Sequence, residues 1–95
     1  MVARVIQMQA APADFDGIVT ALRERVLPHV RQLPGFKVDY IAGDSSQGRL
    51  VSFVLFENKE GVAAAEALFG QMRPAVEQQG VRFESVENLE LLLAG

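Results

Sequence analysis

From Leu50 to Phe56 every position but Ser52 is apolar. Side chains alternate across a strand, so Leu50, Ser52, Val54 and Phe56 fall on one side and Val51, Phe53 and Leu55 on the other. Both sides of this segment need cover from water. The rest of the chain predicts what surrounds it. Val2 to Gln9 is short, rich in β-branched residues and stopped by Ala11-Pro12, which predicts a first strand. Asp14 is placed to cap a helix, and Phe15, Ile18, Val19, Leu22, Val26, Val30 and Leu33 follow at helical spacing. Pro28 lies inside that pattern and predicts a kink or a short final turn, and Pro34-Gly35 ends it. Phe36 to Ala42 reads as a second strand, with Phe36, Val38 and Tyr40 on one side and Lys37, Asp39 and Ile41 on the other. A polar connection bounded by Gly43 and Gly48 leads as a hairpin into the third strand.

Asn58 is positioned to cap a second helix, whose apolar positions are Val62, Ala65, Leu68, Phe69 and Met72. Pro74 is expected to divide it from a short last helix that stops at Gly80. Val81 to Leu93 completes the pattern as a long last strand. The order βαββαβ is the ferredoxin-like arrangement, an α+β fold with one antiparallel four-stranded sheet and both helices on one face. Residues 1–95 form a single domain. Two helices cover one side of that sheet, so the economical cover for Val51, Phe53 and Leu55 is a second copy of the same chain.

Composition removes several functions. Zero cysteines exclude thiolate catalysis, iron–sulfur clusters and thiolate zinc sites, and one histidine excludes a multi-histidine metal site within one subunit. A net charge of −3 with scattered basic residues gives no pull towards nucleic acid or anionic lipid. No window approaches the roughly 18 apolar residues of a membrane span, and Met1 to Val5 shows no signal-peptide core, so a cytoplasmic protein is expected. At 95 residues the core is small, which leaves association something to add.

Leu33-Pro34-Gly35-Phe36 resembles the "LPGF" junction of antibiotic-biosynthesis-monooxygenase-like (ABM-like) domains. Val54-Leu55-Phe56-Glu57-Asn58-Lys59-Glu60-Gly61 is similar to their step from third strand into second helix. The resemblance spans nearly the whole chain in element order. It implies a dimeric α+β barrel in which the helix-free faces of two sheets meet, with a pocket between sheet and helices in each subunit. It also implies a cofactor-independent monooxygenase acting on a small aromatic or quinone-like substrate. The haem-degrading branch of that family uses a first-strand asparagine, a tryptophan at the end of the third strand and a second-helix histidine. Here Ile6 and Gln7, Phe56 and no histidine stand in those places, so haem degradation by that route is not expected.

On this reading Phe56, matching the pocket aromatic, faces the pocket, and Phe36, Phe69, Met72 and Asn58 are the further candidates for substrate contact. His29 is the only side chain with an ordinary pKa near neutrality and is the candidate proton acceptor; the Tyr40 hydroxyl is the candidate to orient a ligand oxygen. Each has a plainer role open to it: core packing for the aromatics and Met72, helix capping for Asn58, a solvent-facing position for His29 and Tyr40. Three functions follow: an oxygenase needing neither metal nor flavin, a non-catalytic binder of a small apolar or aromatic molecule, or a structural homodimer whose pocket its own side chains fill.

Overall fold

The computed structural model describes all residues from Met1 to Gly95. Strand β1 (Val2–Gln9) is followed by a 3-10 turn (Pro12–Asp14), helix α1 (Phe15–Ala21), a π-helical turn (Leu22–Val26) and helix α2 (Leu27–Val30). Then come β2 (Phe36–Asp44), β3 (Arg49–Phe56), helix α3 (Lys59–Gln78) and β4 (Arg82–Glu90). The sheet runs β2-β3-β1-β4 with every neighbour antiparallel, which is the ferredoxin-like order. No helix is long and apolar enough to cross a membrane.

The two internal prolines have different consequences. Pro28 lacks the N–H that would bond the Glu24 carbonyl, and the chain before it widens so that Leu27 N–H bonds the Leu22 carbonyl. Pro28 then sits in the first turn of α2, where a missing N–H costs little. Pro74 does not divide the second helix as expected. Helix α3 runs unbroken to Gln78, because the bond that Pro74 forfeits is to exposed Gly70, whose carbonyl can turn to water. Asn58 caps α3 as expected, its side-chain oxygen accepting from Glu60 N–H (3.1 Å) and Gly61 N–H (3.4 Å). The carboxylate of Asp14 makes no such bond, because the chain enters α1 through the 3-10 turn begun by Pro12. Gly61 is required by packing. A side chain there would collide with the Pro34 carbonyl and the Phe56 ring, so α3 can lie directly on the end of β3.

The faces of β3 fall as the alternation predicts. Leu50, Ser52, Val54 and Phe56 are buried under the helices, with Phe56 wholly inaccessible, while Val51, Phe53 and Leu55 remain part-exposed on the other side. Strand β2 departs from simple alternation. Phe36 pairs with Phe56 but Val38 pairs with Leu55, so Lys37 is the extra residue of a β-bulge. Phe36 therefore shares the helix side with Asp39 and Ile41, while Val38 and Tyr40 are turned to the helix-free side. Strand β4 ends at Glu90, short of the expected Leu93. Its partner β1 begins at Val2, opposite Glu90, and after one more bond, from Leu91 N–H to the Met1 carbonyl (2.9 Å), no residue of β1 is left to pair with.

Under the helices the core forms two clusters. Met8, Ala10, Ile18, Leu22, Leu50 and Val81 pack at one end, and Val54, Phe56, Val62 and Ala65 at the other.

Candidate functional site

Where the two clusters approach each other, between the sheet and the helices, lies a cavity of about 80 Å³. It is bounded by Met8 and Leu22 of one cluster and Val54, Phe56 and Ala65 of the other. A single water needs roughly 10–15 Å³ of such space, so the cavity holds several waters or one small planar group. A larger ligand would have to displace the half-buried Phe69 and Met72 and the more exposed Arg73, all on one side of α3. Sixteen of its nineteen lining residues are apolar, and the three others are Arg4, Ser52 and Arg73. No carboxylate, histidine or tyrosine lines it.

Arg4 is the most unusual of these. It stands in the middle of β1 opposite Val54, on the helix-covered face, and is 4% exposed. Its Nη1 donates to Asn88 Oδ1 at 3.1 Å and lies 3.6 Å from Glu66 Oε1, while Asn88 Nδ2 donates to the same Glu66 oxygen at 3.0 Å. Burial pulls the guanidinium pKa down and the Glu66 carboxylate pushes it back up. The guanidinium also sits 5.4 Å from the centre of the Phe69 ring. Arg73 covers the other aromatic pair, 5.7 Å from Phe69 and 5.3 Å from Phe83, and those two rings meet edge-to-face at 5.0 Å. Two cations and two rings thus form the polar end of an otherwise apolar space.

Of the residues singled out in the sequence, Phe56, Phe69 and Met72 line this cavity. Phe36 does not; it packs edge-on against Phe56 with ring centres 6.5 Å apart and so supports the wall from behind. Asn58 is exposed and occupied as the α3 cap, outside the cavity. His29 is exposed on α2 and does not reach the lining, because the widened turn before Pro28 carries Val26, Leu27 and Val30 inward instead. Tyr40 is 64% exposed on the opposite side of the sheet, turned there by the bulge at Lys37, and its ring lies 6.4 Å from that of Phe53. The structure therefore does not bring His29 and Tyr40 to the cavity or to each other. Arg4 and Phe83 are not singled out by the sequence, while Ser52 lies on the cavity side with Phe56 as the alternation places it; all three line the cavity. Arg4 has one legible signal, a charge within an apolar strand at the alternation parity of Val2, Ile6 and Met8. No group of three or more His, Cys, Asp or Glu side chains is arranged to hold a metal ion.

No family model matches the sequence, and neither does any curated protein. Solved structures do match. A proposed antibiotic biosynthesis monooxygenase from Deinococcus radiodurans superposes with a TM-score of 0.80 at 19% identity, over 99% of this chain and 95% of that one. The fold is that of the antibiotic biosynthesis monooxygenases. A Streptomyces coelicolor monooxygenase solved in complex with nanaomycin D gives a TM-score of 0.70 at 14% identity, over 99% of this chain and 91% of that one. SnoaB, a cofactor-independent oxygenase from Streptomyces nogalater, gives 0.72 at 15% identity, over 98% and 94% of the two chains. The expected ferredoxin-like architecture of ABM-like proteins is therefore present along the full chain.

Proposed function

We propose that the protein is an ABM-like, cofactor-independent monooxygenase that binds a small aromatic or quinone-like molecule between its sheet and helices and works as a homodimer. The observation that carries this reading is the apolar cavity, set between sheet and helices in a fold shared with oxygenases, one of them cofactor-independent. Phe56, Phe69 and Met72 are the proposed substrate contacts. The dimer would form through Val51, Phe53 and Leu55, joined by Val38 and Tyr40, all on the helix-free face. Oxygenation without a cofactor balances when the substrate supplies every electron. One oxygen atom enters the substrate, and the other leaves as water with two substrate hydrogens. The protein's contribution is then desolvation and orientation of an electron-rich ring.

The cavity wall carries no general base, so the substrate would have to enter already ionised or lose its proton to solvent. That same feature favours a second reading, a binder that holds the molecule without chemistry. Native mass spectrometry of the purified protein, followed by oxygen uptake with whatever is retained, separates the two. Two chains with a bound aromatic and oxygen consumption support the oxygenase; the same complex without consumption leaves the binder. A bare monomer removes the barrel.

A further inference from the structure

The guanidinium of Arg4 is only half used. Its Nη1 is held by Asn88 and Glu66, while Nε and Nη2 have no protein acceptor and are not sealed from a water-sized molecule. Donors open to a small molecule, on a side chain that is otherwise buried, are placed to take an acceptor from a ligand. Here the unmatched donors belong to a residue that lines the cavity, where the only other polar groups are the Ser52 hydroxyl and the Arg73 guanidinium. Two positive charges and no negative one therefore border the apolar space. The Phe69 and Phe83 rings, edge-to-face with each other and each beside a guanidinium, add aromatic wall at the same end of the cavity.

We propose that the cavity selects the anionic form of its ligand, a planar ring bearing an ionised oxygen, either carboxylate or phenolate, and that Arg4 is the residue that recognises that oxygen. This rests on the ligand-binding reading above and adds the charge of the ligand and the residue that reads it. Arg73, nearer solvent and paired at 3.4 Å with Glu77, is a secondary contact at the mouth. The network behind Arg4 has a definite part. Asn88 fixes Nη1 and so limits the orientations open to the rest of the fork, while Glu66 competes with the ligand for the same charge. Arg4 is thus a specificity-determining residue.

The test compares benzoate with its neutral analogue benzamide at pH 7.5, by calorimetry and by the amide and guanidinium shifts in ¹⁵N spectra. In the wild type benzoate should bind about tenfold or more tightly than benzamide, the range of a charge-assisted hydrogen bond in a desolvated site. Arg4→Gln should bring the two within about twofold by weakening benzoate alone, and Arg4→Lys, which keeps the charge but loses the fork, should fall between. Glu66→Gln should strengthen benzoate a few-fold and leave benzamide unchanged, a gain that a merely structural Arg4 network would not produce. Equal binding of the two probes by the wild type overturns the inference and leaves the cavity as a ligand site. A benzoate preference that survives Arg4→Gln overturns the assignment to Arg4. Binding of neither probe removes the ligand-binding reading and this inference together. The wild-type comparison and the Arg4 Nε shift need no variant, so a poorly folding Arg4→Gln does not shield the proposal.

Discussion

The two faces of β3 carry side chains of the same kind and meet opposite circumstances. On the helix side, Leu50, Val54 and Phe56 are buried, and the one gap among them is a cavity edged by two arginines. On the other side, Val51, Phe53 and Leu55 stay part-exposed, flanked by Val5 and by Tyr40, with no element of the chain above them. One face is finished by the fold, and the other carries the apolar side chains that the proposed association would cover. The difference teaches that burial within the chain and burial by a partner draw on the same alternating pattern. A strand's hydrophobicity alone does not say which cover it receives; the supply of helices does.

Substitutions at four positions, and one titration with its own control variant, probe these faces from the largest effect to the smallest. Phe56→Ala empties a fully enclosed site and should lower unfolding free energy by about 3–5 kcal/mol in urea melts. A loss below about 1 kcal/mol would mean that Phe56 is not the keystone of its cluster. Phe53→Asp should leave the monomer folded by circular dichroism yet weaken self-association by about 3 kcal/mol or more, read by sedimentation, since it places an unpaired charge in the proposed interface. An unchanged dimer would reverse the assignment of faces. Gly61→Ala should cost about 1–3 kcal/mol, because α3 must retreat from the Pro34 carbonyl and Phe56. Asn58→Ala should cost about 1 kcal/mol, and Asn58→Asp should restore most of it. If Asn58→Ala lowered ligand affinity without touching stability, the residue would belong to the site after all.

The smallest effect is pH-dependent. Lys37, at 2.8 Å, holds the Glu57 carboxyl below its ordinary value of 4.5, and two bonds from Ser46 hold Asp44 below 3.8. Both folded-state values are depressed, so their stabilisation is present above the ordinary values and is lost as pH falls through the lowered ones. Melting temperature should therefore be flat near neutrality and begin to fall only as the pH drops below about 4.5. Lys37→Met should flatten the upper part of that fall. Both groups are exposed, and salt should weaken the Lys37–Glu57 ion pair but not the hydrogen bonds from Ser46 to Asp44.

Much of this was present in the chain as written. The order of elements, the two faces of β3, the Asn58 cap, the disturbance before Pro28 and the stop at Pro34-Gly35 all rest on neighbours within a few residues. Backbone geometry and local hydrogen bonding are decided at that range. The resemblance in Leu33–Phe36 and Val54–Gly61 pointed to a fold that the solved structures share. Three things needed the tertiary structure. The bulge at Lys37, which sends Tyr40 to the helix-free face, is a property of pairing with β3 and leaves no mark in β2 alone. The continuity of α3 through Pro74 rests on Gly70 being exposed, so that its unpaired carbonyl can turn to water. Above all, the role proposed for Arg4 depends on Glu66 and Asn88, 62 and 84 residues further along the chain, closing around one nitrogen and leaving the others without a protein acceptor. A charge in a strand can be noticed in a sequence, but whether it lies in water or in a cavity is settled only by what the distant chain places over it.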